Sequence, residues 1–299
     1  MLGLLVDIGR SWTIWKPMVF WNFDSVLFEV AMCVMLYLNV LYIEFIPILA
    51  EEYKGRVNLP GPLAVLNRPT EFALNLADRI LGKVMWLFII AGVVLSCMHQ
   101  SSLGSLMLVA PTKLHPLWYT PILPLLFLTS AIAVGYPMVV FETTLVTASM
   151  KLDGEMQVLA PLTGITIYLL GFYMALKIGD MVVRGTYVYL LDGTARSNSF
   201  IVELLLGVII SWLMLLSSNV RRSRRALFTA CTLIVGGVLL NRVNVFVVGY
   251  QPPVSEATYF PAVGEILITV GLISALILLY RFFITYLPGL SAPVREVPS

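Results

Sequence analysis

Seven long apolar stretches constrain this chain more than any other feature of its sequence. Each reaches the roughly 20 residues that an α-helix needs to cross the hydrocarbon core of a bilayer. They are too long and too uniformly apolar for the strands of an outer-membrane barrel. Because backbone groups in lipid must bond internally, the sequence predicts an all-α polytopic membrane bundle. The stretches lie near 26–49, 79–99, 121–142, 158–178, 199–218, 225–247 and 262–287.

The composition also excludes a soluble domain, since 59% of the residues are hydrophobic and only 12% are charged. Soluble domains carry roughly twice that share of charged residues. The first ten residues form an apolar run that ends in Asp7 and Arg10, without a basic start or a small-residue cleavage site. We therefore expect the stub of a further helix there and not a secretory signal.

Lysine and arginine in short loops predict the orientation of the bundle. The arginine turn, residues 221–225 with the sequence Arg-Arg-Ser-Arg-Arg, dominates one side and is expected to be cytoplasmic. The same side also carries Lys54, Arg56, Arg68, Lys151 and Arg295, against Arg10, Lys16, Lys113, Arg184 and Arg196 on the other. The sequence thus predicts a multi-pass protein of a prokaryotic cytoplasmic membrane.

Ionisable residues inside the apolar stretches are the candidates for function, because a charge in hydrocarbon costs at least ~2.5–3.5 kcal/mol. Such a residue marks a proton path, a ligand site or an internal ion pair. On the predicted topology most of them lie toward the outer, periplasmic face, namely Glu29, His99, Asp180, Arg242 and Glu265. For Asp180 and Arg242 the simplest expectation is an ion pair between two helices, which Glu265 could join.

Glu44 and Glu142 lie deeper, toward the inner side. Glu29 and Glu44 are about 22 Å apart along one helix, so they cannot form one site. They could be two stations of a proton route. The alternative is that each carboxylate is paired with a polar group on a neighbouring helix.

Aromatic and charged residues alternate in the N-terminal aromatic segment, residues 7–29. Two interpretations remain open. The segment is either an interfacial aromatic belt or a pocket at headgroup level. In the second case Asp7 accepts a proton while tryptophans such as Trp12 line a flat ring.

The sequence contains no evident cofactor motif. Its three cysteines are scattered singly, and both histidines, His99 and His115, fall in one short stretch. Paired histidine ligation of a b-type haem across facing helices is therefore not expected, and neither is a metal site. Without a nucleotide-binding motif either, the expectation is that a ligand or a partner brings the redox chemistry.

Several motifs resemble the NrfD/polysulfide-reductase membrane-subunit family, in particular its HybB-like branch. The most specific is the run from His99 to Gly104, followed by Ala110-Pro-Thr-Lys-Leu-His-Pro-Leu-Trp118. Others are Asp7-Ile-Gly-Arg10, Ser25–Glu29, Met35–Tyr37, Glu44–Pro47 and Asn241–Asn244. The branch contains quinone-linked subunits of periplasmic [NiFe] hydrogenases and related complexes.

This resemblance implies a subunit of a respiratory oxidoreductase complex that carries no haem or metal of its own. It would bind menaquinone or ubiquinone near the periplasmic face and exchange electrons with a periplasmic iron–sulfur, multihaem or hydrogenase subunit. Asp7 and His99, with Glu29 behind them, would exchange protons with the quinone. Arg10, Gln100 and Trp12 would hold the quinone ring.

Family members carry helices upstream of Asp7, and this chain begins within the third of them. The resemblance therefore implies that residues 1–120 are the remainder of the quinone-site bundle. A second four-helix bundle would span 121–247, and 248–299 would hold an outer loop, the last helix and a cytoplasmic tail. Three explanations for the upstream helices remain open. The translation start has been placed too late, another chain supplies these helices, or this form has lost the quinone pocket.

Two other functions fit the same residues. Carboxylates at several depths also suit a proton-coupled transporter or an ion-conducting subunit. A structural membrane anchor without its own quinone site is the other alternative.

Overall fold

A computed structural model describes residues 10–53, 67–109, 111–150, 156–251 and 261–286. In these ranges 7 helices are long and apolar enough to cross a membrane, which confirms the all-α membrane fold. They are α1 Val26–Tyr53, α2 Asn67–Leu108, α3 Leu123–Met150, α4 Met156–Val183, α5 Ala195–Leu216, α6 Arg224–Val248 and α7 Val263–Tyr286. Short helical turns Ser11–Thr13, Lys16–Val19, Pro111–Lys113, Thr186–Asp192 and Ser218–Arg222 join or precede them.

The chain divides into two compact units. The first unit is Met1–Ser96 with Pro261–Ser299, and the second is Cys97–Phe260. The first unit thus holds α1, most of α2 and α7. The second holds the end of α2 together with α3 to α6.

The second unit has a dense core in which backbones approach closely. A Cβ built on Gly207 of α5 would lie 2.5 Å from the Cα of Gly237 of α6, so only glycine fits this crossing. A Cβ on Gly104, near the end of α2, would lie 2.9 Å from the Cα of Pro124 in α3. Small residues at crossings are the usual means of helix packing in membranes, where the solvent gives no hydrophobic driving force.

Two π-helical segments interrupt the second unit, Leu205–Ile210 within α5 and Asn244–Val248 at the end of α6. Wider turns of this kind occur often at functional sites, because they rotate the side chains that follow. The first begins two residues after Glu203, and the second begins with Asn244. The two π-helical segments therefore lie where the polar side chains of α5 and α6 meet, and they change the direction in which those side chains point.

Within the described residues, three contacts join the helices of the first unit. The carboxylate of Glu44 in α1 lies against Gly92 of α2, where an added Cβ would be 2.8 Å from Oε1. The thiol of Cys33 donates to the carbonyl of Leu95 at 3.4 Å. The rings of Phe45 and Phe283 join α1 to α7, with their centroids 5.3 Å apart.

Helix α2 extends further than the hydropathy pattern predicts. We expected it to end near residue 99, whereas it continues to Leu108. His99 therefore lies nine residues before the helix end, or about 13 Å along the axis. The polar run after His99 misled the prediction, because serine hydroxyls can bond a carbonyl of the preceding turn, as Ser105 does with Ser101 at 3.3 Å.

Candidate functional site

A buried carboxylate is the centre of the second unit. Glu203 of α5 is 1% exposed and accepts four hydrogen bonds. Its Oε1 accepts from Lys177 Nζ and from Asn241 Nδ2 at 2.8 Å. Its Oε2 accepts from Asn244 Nδ2 at 2.7 Å and from Trp118 Nε1 at 3.2 Å. These five residues, the Glu203 network, satisfy the carboxylate with donors from α4, α6 and the loop before α3.

Lys177 of α4 supplies the charge that balances Glu203. Its side chain is 7% exposed and forms the salt bridge to Oε1. Its ammonium also lies 5.0 Å from the ring centroid of Phe200, and Nζ donates to Tyr173 Oη at 3.4 Å. Removing two ions from water is costly, so such a pair persists only when additional hydrogen bonds and aromatic faces surround it.

A short backbone pairing positions Trp118 for its bond to Glu203. The amide of His115 donates to the carbonyl of Gly249 at 2.8 Å, and the amide of Gln251 donates to the carbonyl of Lys113 at 2.7 Å. This pairing ties the loop before α3 to the end of α6. The indole then packs edge-on against Phe200, with the ring centroids 5.6 Å apart.

Arg242 of α6 is a second cation, partly buried, and it binds neutral acceptors. Its NH1 donates to Asn241 Oδ1 at 2.7 Å, its NH2 to Ser130 Oγ at 2.9 Å, and its Nε to Gln100 Oε1 at 3.2 Å. The guanidinium lies 3.7 Å above the ring centroid of Phe127. Asn241 thus connects Arg242 to Glu203, since its oxygen accepts from one and its nitrogen donates to the other.

The expected ion pair between Asp180 and Arg242 is wrong. Asp180 instead pairs with Arg184, four residues later and just past the end of α4, with Oδ2 at 2.8 Å from NH2. It also accepts from Thr120 Oγ1 at 2.8 Å. Arg184 donates in addition to the carbonyls of Pro116 at 3.1 Å and of Tyr119. Neighbours at i and i+4 share one helix face, so this pairing needs no second helix.

A cavity of about 20 Å³ lies between these two groups of charges. Its lining includes Lys177, Asp180, Arg184 and Asn241. This volume holds about one water molecule, which polar walls such as these can bind. A single water there would connect the ion pair near the end of α4 with the Glu203 network one turn deeper.

The two histidines differ in their surroundings. The Nδ1 of His99 is buried and has no hydrogen-bond partner among the described residues. The Nδ1 of His115, outside the spanning helices, accepts from the amide of Leu117 at 3.3 Å. Burial, together with the nearby charge of Arg196, lowers the pKa of His115 below 6.5, and Asp192 opposes this shift. Of the two residues, only His99 has a buried ring nitrogen without a partner in the described part of the chain.

The N-terminal aromatic segment forms an open cleft within the first unit. Its volume is about 680 Å³, a size that holds a small-molecule ring. The lining is Trp15, Lys16, Pro17, Phe20, Asn22, Leu27 and Phe28. Trp12 lies nearby in sequence but is 73% exposed and not part of the lining. Arg10 is also exposed, and Asp7 lies outside the described residues.

The remaining candidate carboxylates do not gather into one site. Glu29 lies in the first turn of α1, and Glu142 is half-buried in α3. Glu265 accepts from the amide of Ala262 at 3.1 Å and so caps the first turn of α7. Glu44 packs on Gly92, as described above. No group of three or more potential metal ligands occurs in the described part of the chain.

Sequence reasoning missed the two ions at the centre of the second unit. Glu203 and Lys177 each interrupt an apolar stretch, which is the signal that singled out Asp180 and Arg242. The sequence does not show that they meet, because they are 26 residues apart on different helices. Still, one acidic and one basic residue in two apolar stretches is a pattern from which an ion pair could have been predicted.

Comparison with known proteins places the chain in a family. The family model described as polysulphide reductase, NrfD, matches residues 1–253. The chain belongs to the NrfD family. A protein of Escherichia coli strain K12, named probable Ni/Fe-hydrogenase 2 b-type cytochrome subunit, is 32% identical over 99% of this chain and 71% of its own length.

Two further relatives support the assignment to the NrfD family. A Nitratidesulfovibrio vulgaris protein is 33% identical over 97% of this chain and 72% of its own length. A Wolinella succinogenes protein, named as one of the chains of polysulfide reductase, is 28% identical over 45% of this chain and 38% of its own length. This NrfD-family protein is a multi-pass membrane subunit of a respiratory oxidoreductase.

The expectation of a chain without haem is contradicted by the E. coli relative, which is named a b-type cytochrome subunit. The position of both histidines in one short stretch excludes only a pair of histidines facing each other across the bundle. Haem iron can also be held by one histidine, alone or opposite a methionine. The buried Nδ1 of His99, unpartnered among the described residues, fits that chemistry.

Proposed function

We propose that this subunit binds quinone or quinol near the periplasmic face of a prokaryotic cytoplasmic membrane. It exchanges electrons there with an iron–sulfur, multihaem or hydrogenase subunit docked on that face. Membership of the NrfD family over residues 1–253 is the observation that carries the proposal. The redox names of the E. coli and Wolinella relatives support it.

The cleft of the N-terminal aromatic segment supports a quinone site in the first unit. Trp15, Phe20 and Phe28 offer aromatic faces of the kind that pack against a flat ring, and Lys16 offers one cation. Arg10 and Trp12 lie just before the cleft in sequence and would close over the ring. Asp7 and Glu29 would exchange protons with the quinone oxygens, since quinone reduction takes up two electrons and two protons.

His99 and Gln100 are further groups with roles in this proposal. Within the second unit, Arg242 holds the amide oxygen of Gln100, which leaves the amide NH₂ as a donor for a ligand. His99 has a ring nitrogen without a partner in the described ranges, which would take up a proton or, with a haem bound, help to hold its iron. A b-type haem, when bound, would supply one-electron transfer.

Selective loss of quinone-linked turnover tests this function. Asp7→Asn and His99→Ala should each lower quinone-linked activity of the complex by about 10²-fold or more, the usual contribution of a positioned acid or base. Dye-linked activity of the partner should persist, because it does not use the membrane site. Asp192→Asn is the matched control, since Asp192 is exposed and lies outside the proposed site.

The haem content of the purified complex distinguishes iron ligation by His99 from proton exchange. If His99 ligates iron, His99→Ala removes a haem signal from the purified complex. If it exchanges protons, the spectrum is unchanged while turnover falls. Parallel loss of both activities together with subunit abundance would instead favour a structural anchor, and failure to bind a quinone analogue would favour the same conclusion.

Orientation is tested by cysteine labelling in intact cells. Single reporters at Lys113 and Asn219, both exposed, are placed in a background without the native thiols. An impermeant reagent should modify the reporter at 113 and spare the one at 219, because the arginine turn resists translocation. The reverse pattern would place the quinone end in the cytoplasm.

We also propose that the second unit moves protons. The Glu203 network, the one-water cavity, and the pair of Asp180 and Arg184 place exchangeable protons within a turn of one another along α4. Lys177 would pass a proton through a water in the cavity to the carboxylate of Asp180. Glu203 would first take up a proton from outside the network and then return it to the neutral amine of Lys177. Arg242 holds Asn241 in place, and Glu44 and Glu142 are candidates for stations elsewhere.

Lys177→Arg tests proton movement without removing the charge. Arginine keeps the salt bridge but does not give up its proton, so proton transfer across proteoliposomes should stop while quinone-linked turnover persists. Retained transfer would assign the network a structural role. Proton flux without quinone turnover or a redox partner would instead indicate a transporter or an ion-conducting subunit.

A further inference from the structure

The arginine turn, at the opposite end of α4 to α6 from Asp180 and His115, has a defined geometry. It connects α5 to α6 through the short helix Ser218–Arg222 and the extended residue Ser223. The spanning segments on either side end at Leu216 and begin at Arg224. The four guanidinium groups therefore lie at the level of the lipid headgroups.

The positive charges of this turn are not neutralised within the described residues. Neither of the two salt bridges found there, Lys177–Glu203 and Asp180–Arg184, involves an arginine of the turn. The Nε of Arg221 is buried and has no hydrogen-bond partner in the described ranges. Arg222 and Arg225 are exposed. Four cations without a carboxylate among the described residues form a positive surface that favours binding of an anion.

One arginine is fixed in place for such an anion. Arg224 NH2 donates to Thr147 Oγ1 of α3 at 2.6 Å. The hydroxyl of Thr147 in turn donates to the carbonyl of Thr143 at 2.8 Å, which sets its orientation. The other guanidinium nitrogens of Arg224 make no hydrogen bond within the described part of the chain, so the group is held at one edge and open at another.

The start of α6 adds to the positive field at this point. The N-cap residue Ser223 makes no side-chain capping bond, so the first amides of α6 lack that partner. A helix N-terminus carries a partial positive charge. Just inside the membrane, Leu213 and Leu216 of α5 are 54% and 44% exposed, which provides apolar surface for acyl chains directly beneath the cations.

We propose that the arginine turn is a binding site for an anionic phospholipid, whose phosphate is held by Arg221, Arg222, Arg224 and Arg225. Guanidinium forks bind phosphate oxygens in pairs, and clusters of basic residues next to a spanning helix favour anionic headgroups. The acyl chains lie along Leu213 and Leu216. This site is separate from quinone chemistry and does not depend on the proposed function.

Lipid titration of the purified protein tests the site, with native mass spectrometry as the readout. The delipidated protein receives cardiolipin, phosphatidylglycerol or zwitterionic phosphatidylcholine, and a fourth arm receives inorganic phosphate. The variants are Arg222→Gln/Arg225→Gln and the charge-retaining Arg222→Lys/Arg225→Lys. The control is Lys113→Gln, which removes an exposed cation near the other face.

The wild-type protein should prefer the two anionic lipids over phosphatidylcholine. The glutamine variant should bind them roughly tenfold more weakly or worse, since each basic residue near the surface adds to the attraction. The lysine variant should fall between, because it keeps charge and loses the paired geometry. The control should match the wild type.

Three results would overturn the proposal. Equal binding of anionic and zwitterionic lipids would show that no headgroup is recognised. Unchanged affinity in the glutamine variant would place the lipid elsewhere. Displacement of bound lipid by inorganic phosphate at low millimolar concentration would identify a site for free phosphate. The lysine variant keeps the positive charge that sets orientation, so an inverted topology cannot imitate its expected result.

Discussion

The two units of this protein treat a glutamate inside an apolar helix in opposite ways. Glu203 in the second unit is enclosed by four donors, one of them the ammonium of Lys177. Glu44 in the first unit packs against the backbone of Gly92 and makes no hydrogen bond within the described ranges. The first carboxylate is surrounded by hydrogen-bond donors and a cation, whereas the second has neither among the described residues.

The helices of the two units also differ in how much of their surface is buried. In the most apolar part of α3, in the second unit, 44% of the residues are buried. In the most apolar part of α7, in the first unit, none are buried. Apolar length suffices to place a helix in lipid, but lipid is as apolar as leucine and gives no force that packs helices together. Close glycine crossings and buried polar bonds supply that force in the second unit.

Removing one partner of the buried ion pair should have the largest effect. Glu203→Gln leaves the ammonium of Lys177 buried opposite a neutral amide, which should destabilise the second unit by about 3–5 kcal/mol. Thermal unfolding of the purified protein in detergent measures this. The double variant Lys177→Met/Glu203→Leu should recover part of the loss, because it removes both charges. If Glu203→Gln is as stable as the wild type, the buried ion pair does not hold the second unit together.

The glycine crossing should have the next largest effect. Gly237→Ala places a Cβ against the backbone of Gly207 and should cost about 1–3 kcal/mol through overpacking. Gly236→Ala is the matched control, since nothing lies within 4 Å of its Cβ position. Gly92→Ala in the first unit should cost less than Gly237→Ala, because its added Cβ meets the flexible end of Glu44. Equal unfolding temperatures for the variants at 236 and 237 would show that the crossing is loose.

Neutralising Glu44 should have a smaller effect on stability than neutralising Glu203. Glu44→Gln removes an acid that accepts no hydrogen bond in the described part of the chain, so its unfolding free energy should change by less than about 1 kcal/mol. The same thermal unfolding assay compares the two glutamine variants directly. A loss as large as that for Glu203→Gln would mean that Glu44 also stabilises its unit as an anion.

Protonation of His115 should give the smallest effect. Burial and Arg196 lower its pKa, so the native state favours the neutral ring that accepts the amide of Leu117. The unfolded chain then binds more protons than the native one near and below pH 6.5, so this contribution is present above that pH and is lost as pH falls through the lowered pKa. Unfolding temperatures of wild type and His115→Gln at several pH values measure the difference, and a variant with unchanged acid sensitivity would exclude His115 as its source.

Much of the architecture was predictable because it depends on local properties. Each of the seven spans is recognised by its own length and hydropathy, and the motif from His99 onward was enough to suggest the NrfD family before any comparison. The end of α2 was misplaced because hydropathy counts Ser101 and Ser105 as polar, whereas a helix can bond such hydroxyls to its own carbonyls.

The sequence by itself determined that this is a membrane subunit with seven apolar spans among its described residues. It also marked most of the residues that place charge in those spans, but not Glu203 and Lys177. Only the tertiary structure decided their partners: Asp180 with Arg184, Arg242 with Gln100 and Asn241, and Lys177 with Glu203. The physical reason is that spanning depends on each helix alone, through the transfer of its side chains into lipid. Pairing depends on which faces of different helices come within about 3 Å, and no single stretch of sequence contains that information.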